Sequence, residues 1–311
     1  MTDAQPWTLG YTRRQFTVGG GSISWLELDE SKAAAGVPIV MVHGMQACAL
    51  DYCELGRLLG RRGPVYLLDL RGHGHSSAAP DNPIAGSMAD QVDVVVAFLR
   101  EIVGRPAVVV GNSFGAMICA RVARVAPGDV HRLVLIGPAM TPSRAPLNLT
   151  RTLQWLVQKP RLVRKVYDDD VRSGKRREDP DGLKADVVPN LDLIPAAYRQ
   201  AIRAEPEPAW SVGNPDGRRS LWRGRNDVCQ QLSRPRMLND LLNALTTPGL
   251  WLHGIDDPLM PAVPAEALRR LLPGWDVEVV GETGHEPHLE RVEWTSKCID
   301  AWLGRAVPGG G

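Results

Sequence analysis

The stretch that decides the fold is residues 108–116, which reads VVVGNSFGA. Its β-branched run is typical of a buried strand, and a helix-like segment rich in Ala, Met, Ile and Val follows it. Gly-Asn-Ser-Phe-Gly predicts a sharp turn with Ser113 at its tip, because Gly111 and Gly115 leave the space that side chains would fill. The helix N-terminus would favour negative charge developing beside the serine. A glycine-rich turn with an incidental serine fits this stretch equally well, so the rest of the chain must decide.

Length and composition indicate an ordinary globular protein. The 311 residues are 44% apolar and 23% charged, with a formal net charge of +1. Such a chain can form one large α/β domain or a domain that carries an insertion. A charge near zero gives no global signal for binding nucleic acid or a membrane surface.

The cysteines and the N-terminus point to a reducing compartment. The five cysteines are scattered without CxxC spacing, which favours neither a disulfide framework nor a zinc site. Residues 1–16 lack the apolar core of a signal peptide, and no apolar run is long enough to span a bilayer. We therefore expect a cytoplasmic protein.

Strand and helix patterns alternate along both ends of the chain. A hairpin is predicted around Gly19–Gly21, and further buried strands are predicted at residues 39–42, 65–70, 107–110, 132–136, 249–252 and 277–280. Helical patterns separate them, one of them starting at Ser87 as N-cap. This rhythm predicts a doubly wound, mostly parallel α/β sheet.

The rhythm breaks between residues 138 and 247. Strand-like runs disappear there, prolines recur, and 19 Lys and Arg stand against 13 Asp and Glu, a net charge of +6. Helical fragments at residues 150–157 and 237–245 remain, and Trp155, Trp210 and Trp222 offer apolar anchors. We predict a helical cap inserted at 138–247 into a core domain made of residues 1–137 and 248–311.

Chemically capable residues follow several predicted strands. His43-Gly44-Met45 comes after the first parallel strand, and the loop of residues 71–76 comes after the second. Asp256-Asp257 follows the first strand after the insertion, and His285 follows the last strand. Open α/β folds place their sites at this edge of the sheet.

These pieces together resemble the α/β-hydrolase superfamily, in the branch with an inserted cap. The resemblance rests on five motifs in order: the HG at residues 43–44, DLRGHGHS at 69–76, GNSFG at 111–115, GIDDPLMP at 254–261 and TGHEPHLE at 283–290. It covers nearly the whole predicted core and implies an eight-stranded sheet. The predicted cap matches no pattern of the family.

The resemblance implies a catalytic triad of Ser113, Asp257 and His285. A serine hydroxyl needs an adjacent base to attack at neutral pH, and the base needs an orienting carboxylate. Aligning the family pattern G-x-x-D on Gly254 selects Asp257, while Asp256 stays open as the alternative. The backbone N–H groups of Phe114 and Met45 would form the oxyanion hole.

Further candidates concern the substrate. We consider His43 and Gly44 in the oxyanion loop, together with Arg223 of the predicted cap, as substrate-binding residues. The preferred interpretation is that His43 holds the loop by local hydrogen bonds and that Arg223 lies on the surface. The histidines lack the clustered spacing of a metal site, so we expect no metal and no cofactor.

The predicted function is that of a serine hydrolase. It would cleave a carboxylic ester, lactone or thioester of a small organic substrate through an acyl-enzyme. A hydrolase of C–C bonds is the alternative, since GNSFG and a helical cap are similar to such enzymes. HGMQAC departs from the extra glycines that those enzymes carry. A slow-turnover binding protein on the same fold also stays open, and the oligomeric state is not indicated.

Overall fold

Alternation within the strand sequences creates two apolar layers, one on each face of a central sheet. Val40 and Val42 pack into one layer, while Ile39 and Met41 pack into the other, and all four side chains are fully buried. Successive side chains of a strand point to opposite faces, so a strand covered on both faces needs a continuous apolar sequence.

A computed structural model describes residues 6–28, 35–140, 187–204, 215–232, 234–260 and 265–305. Its strands form one eight-stranded sheet in the order β1-β2-β4-β3-β5-β6-β7-β8. The first two strands are antiparallel to their neighbours, and the remaining strands pair in parallel. The strands are β1 Tyr11–Val18, β2 Gly21–Leu28, β3 Ile39–Val42, β4 Val65–Leu68, β5 Ala107–Asn112, β6 Val130–Ile136, β7 Gly249–Gly254 and β8 Asp276–Val280.

Helices cover both faces of this sheet. Those of the described residues are α1 Cys53–Leu59, α2 Met88–Phe98, α3 Phe114–Val125, α4 Ala196–Ala204, α5 Pro215–Leu232, α6 Pro235–Asn243, α7 Ala265–Leu271, α8 Pro287–Glu290 and α9 Val292–Leu303. Ser87 caps α2 as predicted, because its side chain accepts a hydrogen bond from the amide of Asp90.

The predicted α/β sheet is confirmed, with differences at element ends. The sequence pattern of residues 289–303 predicts a single final helix, but the structure has two helices here, α8 and α9, since Arg291 between them has the non-helical angles φ −136° and ψ 51°. The pattern that begins at Ser87 predicts a helix up to Val103, but the α-helix ends at Phe98 and a π-helical turn, Leu99–Val103, follows it.

The predicted insertion is helical where the structure describes it. Its described residues contain α4, α5, α6 and a short 3₁₀ turn, Leu191–Leu193, and no strand. The helix predicted at residues 150–157 lies outside the described residues, as do Trp155 and Trp210. The boundaries at 138 and 247 stay a prediction.

The carboxyl ends of the parallel strands collect the residues that the sequence singled out. Ser113 follows β5, Asp257 follows β7 and His285 follows β8, each within five residues of its strand. In the part of the chain that is described, no helix is long and apolar enough to cross a membrane.

Candidate active site

Ser113 occupies a strained turn between β5 and α3. Its backbone angles are φ 51° and ψ −112°, a conformation that costs energy for any residue with a Cβ. A Cβ on Gly111 would lie 2.6 Å from the carbonyl oxygen of Gly115, and one on Gly115 would overlap the carbonyl oxygen of Val42. The two glycines therefore let α3 pass close enough to the strands to hold the turn. The predicted turn is confirmed.

A buried pair, Asp257 and His285, forms the second part of the site. Nδ1 of His285 lies 2.7 Å from Oδ2 of Asp257, and both side chains are almost fully buried. The other oxygen, Oδ1, accepts hydrogen bonds of 2.8 Å from the amides of Leu259 and Met260. Asp256, the alternative, has an exposed side chain. The structure thus brings Asp257, not Asp256, to His285.

Electrostatics keep the Asp257 carboxylate ionised. Burial alone would raise its pKa, but hydrogen bonds from His253 and His285, together with the amide of Met260, hold the pKa well below its usual range. An ionised carboxylate only accepts hydrogen bonds, so Nδ1 of His285 carries the proton. The lone pair of the neutral ring is then on Nε2, which is buried and makes no hydrogen bond to any described residue. This is the state that a general base needs.

Asn112 connects the serine turn to His285. Its side-chain Nδ2 donates to the backbone carbonyls of Ile136 and His285, both at 3.1 Å. The amide of Ser113 also donates to Ile136, at 3.0 Å. The Asn112 side chain thereby joins the end of β5 to the end of β6 and to the loop that carries His285. Sequence reasoning missed this role, and the signal available was the position of Asn112 directly before the serine.

The two proposed oxyanion donors border the same turn. Phe114 is the first residue of α3, so its amide has no acceptor within the helix. A Cβ on Gly44 would lie 2.8 Å from Oδ1 of Asn112 and 3.4 Å from Cβ of Ser113. The loop that carries Met45 therefore passes directly beside Ser113. The assignment of both amides to an oxyanion hole stays a prediction.

The fold agrees with comparisons to known proteins. A family model described as the alpha/beta hydrolase fold matches residues 37–292. The chain belongs to this family.

Similar proteins include two bacterial hydrolases and one solved esterase structure. Pimeloyl-acyl-carrier-protein methyl ester esterase of Methylococcus capsulatus is 26% identical over 86% of this chain and 95% of its own length. 2-Hydroxymuconate semialdehyde hydrolase of Pseudomonas putida is 24% identical over 76% of each chain. A thermophilic esterase from Thermogutta terrifontis has a TM-score of 0.69 at 23% identity, covering 94% of this chain and 98% of its own. That structural likeness shows the fold alone, while the family membership and the relatives make this chain a hydrolase.

His253 is a second histidine at the carboxylate of this hydrolase. Its Nε2 lies 2.7 Å from the carbonyl oxygen of Met260 and 3.3 Å from Oδ2 of Asp257, and the side chain is buried. Nδ1 accepts a hydrogen bond of 3.4 Å from the indole of Trp251. Nε2 therefore carries the proton and donates toward both oxygens. No motif in the sequence indicates that His253 belongs to the site, because its approach to Asp257 depends on the path of the loop after β7.

His43 holds the oxyanion loop by hydrogen bonds to the backbone. Its Nε2 accepts from the amide of Leu70 at 3.0 Å, so Nδ1 donates to the carbonyl of Gly44 at 2.6 Å. The ring is completely buried. The local role considered for His43 is present. A substrate contact by its side chain or by Gly44 stays a prediction, and both ring nitrogens of His43 already have backbone partners.

Helix α5 of the predicted cap is fixed to the core near α2. Oδ2 of Asp227 accepts a hydrogen bond of 2.7 Å from the amide of Met88. Nη1 of Arg223 donates to the carbonyl of Ala85 at 3.0 Å. Arg223 therefore contributes to the contact between α5 and the core, and its role as a substrate-binding residue stays a prediction.

The described residues contain no group of three or more His, Cys, Asp or Glu side chains arranged to hold a metal ion.

Proposed function

We propose that this hydrolase is a serine esterase that acts through an acyl-enzyme on a carboxylic ester, with lactones and thioesters as related substrates. The observation that carries the proposal is the buried 2.7 Å contact between His285 and an ionised Asp257, tied by Asn112 to the strained turn of Ser113. A serine on a strained strand-to-helix turn, combined with an oriented histidine, is the arrangement of a nucleophile elbow with its general base.

In the proposed mechanism, Oγ of Ser113 attacks the ester carbonyl while Nε2 of His285 accepts the hydroxyl proton. The charge that develops on the carbonyl oxygen would be stabilised by the amides of Phe114 and Met45. His285 then gives the proton to the leaving alcohol, and Asp257 stabilises the imidazolium without taking up a proton itself. Water, activated by the same nitrogen, releases the acid and restores the serine.

The test is Ser113→Ala, measured with a panel of p-nitrophenyl esters. Turnover should fall by about a million-fold in a folded protein, the size of effect found when a serine nucleophile is removed. A fluorophosphonate probe should label the wild-type protein at Ser113 and leave the variant unlabelled. Near-normal turnover by Ser113→Ala would refute the assignment, and a folded wild-type protein that resists labelling would favour a binding protein of the same fold.

The panel should include a methyl ester and a dienone acid. The Methylococcus relative is named for methyl ester hydrolysis, so pimelate methyl ester tests whether this chain shares that preference. The Pseudomonas relative, a semialdehyde hydrolase, supports C–C bond hydrolysis as the second candidate. Turnover of a dienone acid above that of every ester would favour the second candidate over the first.

A further inference from the structure

Glu290 binds the two amides that flank His285. The amide of Gly284 donates to Oε2 of Glu290 at 2.7 Å, and the amide of Glu286 donates to Oε1 at 2.9 Å. The residue is 5% exposed. Both carboxylate oxygens thus accept from the backbone on either side of the histidine. Burial raises the pKa of the Glu290 carboxyl, and these two hydrogen bonds act in the opposite direction by favouring the ionised form.

The backbone of His285 itself is held from two further directions. Its amide donates to the carbonyl of Val187 at 2.9 Å, and its carbonyl accepts from Asn112 at 3.1 Å. A Cβ on Gly284 would lie 2.6 Å from the carbonyl oxygen of Val187, so that position has no room for a side chain. Of these contacts, the one to Glu290 is made by a charged side chain outside the proposed triad.

We propose that Glu290 is a positioning residue for His285, which it holds in line between Asp257 and Ser113. This inference rests on the proposed function, because it concerns the geometry of the proposed base. Without the carboxylate, two buried amides lose their acceptor, and the loop of residues 284–286 must move to find others. A displacement of about 1 Å at a reacting group can cost on the order of 100-fold in rate.

A purely structural role of Glu290 makes a different prediction, and the chain offers a matched control. Thr295 donates its hydroxyl to the carbonyl of Pro287 at 2.8 Å and is fully buried. This hydrogen bond anchors α8, the same short helix that ends in Glu290. Among the hydrogen bonds of the described residues, none joins the Thr295 side chain to residues 284–286. Thr295→Val removes this anchor with almost no change in shape.

The experiment compares Glu290→Gln with Thr295→Val in the full chain. Glutamine keeps one accepting oxygen and turns an NH₂ group toward the other amide, so one of the two hydrogen bonds is lost. We expect Glu290→Gln to lower kcat for p-nitrophenyl acetate and the rate of fluorophosphonate labelling by about 10- to 100-fold, with KM nearly unchanged. Thr295→Val should lower the melting temperature to a similar degree and leave both rates near those of the wild type.

Equal losses of rate in the two variants, or a wild-type rate in Glu290→Gln, would overturn the proposal. Glu290→Asp is the second variant: it is one methylene too short to reach both amides, but it keeps the charge and turns no donor toward the amide that it misses. Its rates should therefore lie between those of wild type and Glu290→Gln. If neither Glu290 variant folds while Thr295→Val does, Glu290 is a folding determinant and the proposal is wrong. An unlabelled wild-type protein would instead refute the proposed function.

Discussion

Asp257→Asn tests the charge that the site places beside His285. The carboxylate accepts from His285 at 2.7 Å and from the amides of Leu259 and Met260 at 2.8 Å each. An asparagine would keep its oxygen toward the two amides, since they cannot turn away. Its NH₂ group would then face Nδ1 of His285, and two donors cannot pair.

The tautomer of His285 determines the size of the effect. To accept a hydrogen bond from asparagine, Nδ1 must lose its proton and Nε2 must gain one, after which Nε2 cannot accept the proton of Ser113. The same change in a Ser-His-Asp triad lowers kcat by about 10⁴, which corresponds to about 5.5 kcal/mol in the activation barrier. His253 adds to the cost, because its Nε2–H, 3.3 Å from Oδ2, would also face the new donor.

The assay is kcat for p-nitrophenyl acetate, with Asp256→Asn as the matched control. The two residues are neighbours and undergo the same chemical change, but the Asp256 side chain is exposed and that of Asp257 is buried. We expect Asp256→Asn to retain near-wild-type turnover. The reasoning fails if Asp257→Asn keeps more than about a tenth of wild-type activity, or if Asp256→Asn loses as much.

Three further predictions follow from buried positions. Burial and the adjacent His43 ring lower the pKa of His73 from 6.5 to about 3. Between pH 6.5 and pH 3 the ring is therefore neutral in the folded protein, and it takes up a proton when the protein unfolds. Wild-type stability should therefore fall by about 2 kcal/mol from pH 7 to pH 5 through this group, and urea titrations of His73→Gln should show a smaller fall. Gly115→Ala should cost about 3 kcal/mol in urea unfolding because its Cβ meets backbone. Gly128→Ala, where a Cβ meets nothing within 4 Å, should change stability by less than about 0.5 kcal/mol. Gly224→Val should displace the Phe114 ring, whose Cζ lies 3.0 Å from a Cβ at that position. We expect this to change the preference between p-nitrophenyl acetate and p-nitrophenyl butyrate by about tenfold. An unchanged preference would contradict this prediction.

The sheet could be predicted because its signals are local. Strands such as β3 and β5 contain short apolar runs that are followed by glycine or a polar residue, and their buried residues alternate between the two faces. The turn of Ser113 was predictable for the same reason, since the space around it depends on Gly111 and Gly115 in the same motif. Strand ends placed the three candidate residues at one edge of the predicted sheet, and the resemblance to the α/β-hydrolase family then grouped them as a candidate triad.

The supporting residues could not be predicted, because their roles depend on neighbours that are far away in sequence. Asn112 and His285 are 173 positions apart, and nothing in the GNSFG motif indicates which carbonyl the asparagine meets. His253 reaches Asp257 only because the loop after β7 turns back on itself. The family pattern favoured Asp257 over Asp256, and the contact of Asp257 with His285 is the observation that separates two residues of the same chemistry.

The predicted cap can affect the candidate site although its own sequence matches no pattern of the family. Its sequence between residues 138 and 247 has no family pattern, yet the carbonyl of Val187 accepts the amide hydrogen of His285 at 2.9 Å. Tyr198 on α4 donates to the buried Asp51 of the core at 2.8 Å, which fixes the same part of the segment. A substitution in residues 187–204 can therefore move the proposed base without touching substrate. Changes in kcat that map to this segment should not be taken as evidence of substrate contact unless KM or substrate preference changes with them.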